Sequence, residues 1–330
     1  MLRLSRVIGY LLCAALLPAA SVAITATRLS NEPLLKPSTG WMSAGVFNTA
    51  VVKLGTKTIL LFRAQDKQGT SRIGHAESKD GIHFIIRPEP VLSPEAAYEK
   101  GGGVEDPRVV QINGTYYLTY TAYDGHSAQL SLATSKDLIH WDRKGILLPA
   151  YKGTWNTQWT KSGAILPQQV NGKWWMYYLG TRKDADSKPR DYMGLAESTD
   201  LLHWKDATDK PVLDRRPDAF DSRVMEPGPP PIITDEGILL IYNGASESLV
   251  YGPGWVLFDK NDPRKVIARA DAPFILPRLK WEVDGQVPNV IFIEGDLINY
   301  DKNNRVALTA YYGAADKYIG VMDIRLRLSN

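Results

Sequence analysis

Two acids, Glu105 and Asp106, stand side by side directly before Pro107 and Arg108. A strand-like run, VVQINGTYYLTYTAY, follows them. Asp-Pro is a common turn starter. Acids at the mouth of a strand are also where a rigid scaffold presents chemistry. Cleavage of a glycosidic bond generally needs two carboxyl groups: one protonates the leaving oxygen, the other activates water or attacks. Burial and a like-charged neighbour raise the pKa of the acid, which makes Asp106 beside Glu105 a candidate. Successive side chains on a strand point to opposite faces, so only one of the two is expected to face a site.

Further polar groups recur along the chain at similar positions. Asn48 and Arg63 come first, then Asp106 and Arg108, then Lys161 in TKSGAILPQQ. Glu226 in RVMEPGPPPII and Asn289 with Glu294 in GQVPNVIFIEG complete the series. A convergent set of acids, bases and amides suits a sugar pocket. The competing reading is that these groups only tie structural units together.

The elements that must position them are visible as repeats. LLFRAQDKQGTSRIGHAESKDGIHF from Leu60, YLTYTAYDGHSAQLSLATSKDLIHW from Tyr117 and WMYYLGTRKDADSKPRDYMGLAESTDLLHW from Trp175 share one plan. Looser copies begin at Leu239 and Ala307. Tyr, Thr, Leu, Ile and Val dominate the apolar runs, and turn residues bound them, as in strands. Few stretches show the 3.6-residue period of a helix. About four short strands per copy match one propeller blade. The fold class is therefore all-β, a five-bladed β-propeller. Each series residue lies near the start of a copy, where an inner strand meets the axis. The Ser-Lys-Asp turn at Ser78 resembles the Asp-box of sialidases. It and the matching turns at Ser135 and Ser198 read as structural, the side chains bonding local backbone.

Composition narrows the partners. The chain has 330 residues, 39 basic and 36 acidic. No long basic run is present, so nucleic acid is not an expected partner. Nine Trp and sixteen Tyr suit stacking on the C–H faces of sugars. Residues 1–23 read as a signal peptide: Arg3 and Arg6 start it, an apolar run from Val7 to Leu17 follows, and Ser21-Val22-Ala23 supplies small residues. A secreted or periplasmic location follows, with residues 24–330 as one domain. No membrane contact is expected beyond that segment. Cys13 is the only cysteine, so disulfides and thiolate metal sites are excluded from the mature chain. No metal motif or cofactor motif appears.

The ordered motifs GVFNTAVV, LLFRA, GVEDPRV, YYLTYTAYDG, KSGAILP, GPPPIITDEGILLIYNG and YYGAAD resemble those of glycoside hydrolase family 130. The resemblance runs from about Phe47 to Gly320. It implies a five-bladed β-propeller acting on β-mannosides, either as an inverting phosphorylase or as a hydrolase. Asp106 then matches the proton donor. Asn48, Arg63 and Asp316 match sugar-binding positions, and Glu105, Asp124 and Tyr242 are further candidates for the oligosaccharide substrate. Arg143 in HWDRKG and Lys161 match phosphate-binding positions, which would matter if inorganic phosphate is a co-substrate. Two other phosphate ligands have no counterpart: an arginine is replaced within His126-Ser127-Ala128-Gln129, and Tyr-His-Gly reads Tyr242-Asn243-Gly244. Glu226 stands where the phosphorylase pattern is not acidic. A carboxylate there repels phosphate and suits water activation. Hydrolysis with inversion is the first expectation, with Asp106 as acid and Glu226 as base roughly 6.5 to 9.5 Å apart. Phosphorolysis is the alternative. A non-catalytic carbohydrate-binding propeller is the third reading.

Overall fold

Each repeat forms a sheet of antiparallel strands in which neighbours in sequence pair through short turns. In the computed structural model, which describes residues 21–300 and 306–329, blade 1 comprises Gly45–Leu54, Lys57–Gln65, Ser71–Ser78 and Ile85–Ile86. Blade 2 comprises Gly103–Ile112, Thr115–Tyr123, Ala128–Ser135 and Asp142–Leu148. Blade 3 comprises Thr160–Ile165, Trp174–Lys183, Pro189–Ser198 and Lys205–Asp206. Blade 4 comprises Val224–Pro227, Ile238–Ala245, Tyr251–Asp259 and Asp262–Arg269, with Ile232–Ile233 beside its second strand. Blade 5 comprises Ile291–Tyr300, Val306–Ala314, Tyr318–Ser329 and, as its outer strand, Ser21–Arg28 from the opposite end of the described chain.

The inner strands of blades 1 to 4 contact one another in order, and the inner strand of blade 5 packs on that of blade 1 and on the second and third strands of blade 4. Single bridges stitch neighbouring blades, Ser71 to Gly103 and Tyr251 to Val290, and Leu35 to Ile319 ties the segment before blade 1 to blade 5. The five-bladed propeller expected from the repeats is the observed fold. The signal segment lies outside the described residues except for 21–23, which overlap the outer strand of blade 5 and pair with 327–329.

A repeated device packs the blades. The second strand carries a buried ring: Phe62, Tyr178, Tyr242 and Tyr312 in blades 1, 3, 4 and 5. An aromatic from a connection between strands stacks or leans on each: Trp41, Trp155, Phe220 and Trp281, at centroid distances of 5.8 to 6.1 Å. The third strand answers with glycine at Gly74, Gly194, Gly254 and Gly320. A Cβ at any of these would come within 2.3 to 2.7 Å of both rings or of the nearer one. Interiors this closely packed have no room for the methyl.

Buried acids extend the device. Glu99 accepts hydrogen bonds from the N–H groups of Glu95 and Ala96, from Tyr120 and from Arg143. Glu282 repeats the pattern with Arg278 N–H, Leu279 N–H, Tyr312 and Arg28. Asp221 takes Tyr242, Arg216 and Arg269. Arg143, Arg269 and Arg28 all sit on outer strands. Each of these three buried carboxylates is thus paired and hydrogen-bonded, the condition under which burial of charge is tolerated.

The Asp-box turns are structural, as expected. Ser78 Oγ accepts the Gly81 N–H at 2.9 Å, and Asp80 Oδ1 accepts those of Ile82 and His83. Ser135 with Asp137 and Ser198 with Asp200 repeat the geometry.

Candidate active site

Bulges in the inner strands aim the functional side chains. Register shifts fall between Phe47 and Thr49, Glu105 and Arg108, Lys161 and Ala164, and Ile293 and Gly295. In three of them a non-glycine residue takes positive φ: Asn48 at 44°, Asp106 at 51° and Ser162 at 59°. Backbone of this kind is uncommon outside glycine, and bulges are a known means of re-aiming a side chain near a site.

The bulge corrects one expectation. Glu105 and Asp106 do not diverge to opposite faces; both reach Arg63. Arg63 Nη1 lies 3.0 Å from Asp106 Oδ1, and Nη2 lies 2.7 Å from Glu105 Oε1. Arg63 Nε donates to Ser71 Oγ, which donates to Glu105 Oε1. The guanidinium also lies 4.7 Å from the centroid of Phe47. Asn48 Nδ2 donates to Asp106 Oδ1 at 2.9 Å. Gly313 permits this approach, because a Cβ there would stand 2.3 Å from Asn48 Oδ1.

Across the axis, Glu226 accepts a hydrogen bond from Ser162 Oγ. Arg108 links the two acids' strands. It donates through Nη1 to the Asp106 carbonyl at 3.2 Å and through Nη2 to the Pro227 carbonyl at 2.6 Å. Its Nη2 also lies 3.9 Å from Glu226 Oε1, and its Nη1 lies 3.0 Å from Glu294 Oε1. Glu294 is fully buried and its carboxylate oxygens have no hydrogen-bond partner.

The electrostatics differ from the simple expectation for Asp106. Burial works to raise it, but the charges of Arg63 and Lys161, the Asn48 N–H and Arg108 together hold it below the usual carboxylate range. Its neighbour Glu105 carries the rise instead, from burial and the Asp106 charge, against the pull of Arg63 and Lys161. Glu226 is raised by burial and by Asp106, against Lys161 and Arg108. Asp316 is pushed up to about 7 by burial, with Arg63 opposing and Asp106 and Glu226 adding. The Lys161 ammonium is held charged by Glu226, Asp191, Asp106 and Glu105 against the effect of burial. These couplings bring Asn48, Arg63, Glu105, Asp106, Lys161, Glu226 and Asp316 into one electrostatic neighbourhood.

Three candidates fall outside it. Arg143 lies on the outer strand of blade 2, its Nε 3.0 Å from Glu99 Oε1 and its Nη1 3.0 Å from Glu95 Oε2. It is the outer-strand arginine of the repeated acid network and is not free to bind phosphate. Tyr242 is fully buried and donates to Asp221 Oδ2 at 2.5 Å, so it cannot contact substrate. Asp124 caps the turn after its strand, Oδ1 accepting the N–H groups of His126 and Ser127. Asn243, in the place of the family's histidine, clamps blade 4 to blade 5 through both the N–H and the carbonyl of Ile293.

Sequence reasoning missed Asp191, Ser162 and Tyr251. Asp191 accepts from Thr181 Oγ1 and faces Lys161. Tyr251 has its phenol raised by burial and by the charges of Glu226 and Asp191. Among the described residues no cluster of His, Cys, Asp and Glu forms a metal site.

The family model described as beta-1,4-mannooligosaccharide phosphorylase matches residues 23–328. The chain belongs to glycoside hydrolase family 130. A 1,2-beta-oligomannan phosphorylase from a Thermoanaerobacter strain is 38% identical over 91% of this chain and 97% of its own length. A beta-1,2-mannobiose phosphorylase from the same strain is 35% identical over 89% and 95%. A solved structure, described in terms of a mannoside phosphorylase family that contains glycoside hydrolases targeting β-1,2 mannosidic linkages in Candida mannan, superposes with a TM-score of 0.79. It is 33% identical and covers 91% of this chain and 93% of that one. The two sequence relatives favour phosphorolysis over the hydrolysis that the sequence places first.

Proposed function

We propose that this family member cleaves β-linked mannosides, with β-1,2 linkages the first to test, by hydrolysis with inversion. The observation that carries hydrolysis is the company of Glu226. An entering phosphate would meet Glu226, Asp106, Glu105, Asp191 and Asp316, while Arg63 is already engaged by two of them and Arg143 is absent from the site. Of the two basic residues matched to phosphate-binding positions, Lys161 is the one in this neighbourhood, and charge-assisted contacts are what hold phosphate strongly.

In this reading a water between Glu226 and the anomeric carbon gives its proton to Glu226 as its oxygen bonds to that carbon. The raised Glu226 is a better base than an ordinary glutamate, since a base works best with a pKa near the operating pH. The glycosidic oxygen leaves with a proton from Asp106, directly or through a substrate hydroxyl. Asp106 must be loaded with that proton first. A bound sugar displaces water, deepens desolvation and raises the carboxyl. Asn48, Arg63, Glu105 and Asp316 hold hydroxyls of the mannose unit. The reading needs no cofactor, and it is compatible with the secreted or periplasmic location expected from the signal-like segment.

Phosphorolysis is the second reading, favoured by the named relatives. Proton NMR of the first-formed product tests the first: α-mannose supports inversion by water, β-mannose contradicts inversion, and mannose 1-phosphate supports the second.

A further inference from the structure

Three aromatic side chains outside the hydrophobic core gather on the rim between blades 2 and 3. Tyr123 ends the second strand of blade 2 and pairs with Gly103, three residues before Asp106. Trp159 immediately precedes the inner strand of blade 3, two residues before Lys161. Their ring centroids are 6.1 Å apart at 56°. Trp159 Nε1 donates to Tyr151 Oη at 3.0 Å. Tyr151 is 52% exposed, and Tyr123 and Trp159 are half-buried.

The placement is rigid. Trp159 O accepts the Thr181 N–H at 2.8 Å, and Gln158 N–H donates to Thr181 O at 2.8 Å. The hydroxyl of the same threonine bonds Asp191, which faces Lys161. On the other side, a Cβ at Gly102 would stand 2.1 Å from the Tyr123 ring. The glycine run thus leaves room for that ring beside the loop leading to Glu105 and Asp106. None of the three aromatics belongs to a core cluster.

We propose that Tyr123, Tyr151 and Trp159 form a shelf for neutral sugar units beyond the pair that flanks the scissile bond. The proposal rests on the β-mannoside reading above. An apolar ring with its polar tip already bonded offers a face to the C–H side of a pyranose. The strands that carry the shelf lead directly to Asp106 and Lys161, so a sugar chain leaving that site between blades 2 and 3 runs across it. It sets a preference for chains of three or more units over disaccharides.

The test compares kcat/KM on β-1,2-mannobiose and β-1,2-mannotetraose for the full chain, Trp159→Ala, Tyr151→Ala and Trp159→Phe. The expected result is a loss of about tenfold on tetraose for Trp159→Ala, the size of one stacking contact, with biose within about twofold. Trp159→Phe should recover most of the loss, and unchanged thermal melting guards against misfolding. An equal fall on both substrates, or no fall on either, overturns the shelf. If the wild-type chain cleaves neither, the parent reading fails on its own. The shelf is then judged by tryptophan-fluorescence titration with tetraose: saturable quenching lost in Trp159→Ala supports it, and no quenching overturns it.

Discussion

Arg63 holds Asp106 at 3.0 Å through Nη1 while its other terminal nitrogen holds Glu105 at 2.7 Å. One guanidinium thus keeps two adjacent carboxyls on the same side of the chain, which the φ of +51° at Asp106 makes possible. The pair titrates as a unit: Arg63, Lys161 and Asn48 hold Asp106 below the usual carboxylate range against burial, while burial and the Asp106 charge raise Glu105.

Asp106→Asn is the direct test of the acid. Asparagine tolerates left-handed backbone, so the bulge survives. Turnover of β-mannosides should fall by roughly 10²- to 10⁴-fold, the usual worth of a positioned acid or base. Steady-state kinetics with undiminished kcat would remove Asp106 from its role.

Glu226→Gln separates the two chemistries. Hydrolysis should fall by a similar ~10²- to 10⁴-fold, while any phosphate-driven cleavage should rise because a repelling charge is gone. Assays of both products on the same variant check this. Retained hydrolysis would contradict the base assignment.

The five repeats, the alternation within them and the turn residues made the propeller legible in the sequence, because strand period and blade count are properties of the residue order. Asn48, Arg63, Asp106, Lys161 and Glu226 could be picked out by their recurrence near the start of each copy, and Asp316 only through the family resemblance. What was not legible is geometry that pattern does not encode. The bulge that turns Glu105 toward Arg63 needs one residue to take positive φ, and nothing in GVEDPRV announces it. Arg143 misled because a motif match does not reveal which strand of the blade is outermost. Tyr242 misled because the second-strand ring recurs in four blades for packing, a role visible only once Trp41, Trp155, Phe220 and Trp281 are seen against those rings. Asp191 and Tyr251 lie on strands away from the axis end of their copies' opening motifs, and only the fold brings them to Lys161 and Glu226.

Arg143→Met should act on stability and not on phosphate. Glu99 would lose its charged partner while keeping two backbone N–H groups and Tyr120. Urea unfolding should show a loss of roughly 1–3 kcal/mol, the cost of a weakened buried polar group. A changed dependence of rate on phosphate concentration would return Arg143 to the site.

Gly320→Ala probes the repeated ring stack. The new methyl would stand 2.3 Å from Tyr312 and 2.6 Å from Trp281. Overpacking of this kind costs about 1–3 kcal/mol. A melting temperature equal to wild type would show that blade 5 yields at no cost.

Asp296 predicts a pH effect. Burial alone pushes it up to about 7, and among the described residues its Oδ2 has no hydrogen-bond partner. A carboxyl with a raised folded-state pKa takes up a proton on folding, so stability is lost as pH rises from about 4 through about 7. Asp296→Asn should therefore melt higher than wild type at pH 8, and the gap should close as pH falls toward 4. A gap that is constant with pH would contradict the assignment.

The central claim is that Glu226 makes this site a water-using one. The measurement that tests it most directly is product analysis on β-1,2-mannobiose with and without inorganic phosphate. Free mannose at equal rates in both conditions is the predicted result. Mannose 1-phosphate formed only when phosphate is present would contradict it and place the chain with its phosphorylase relatives.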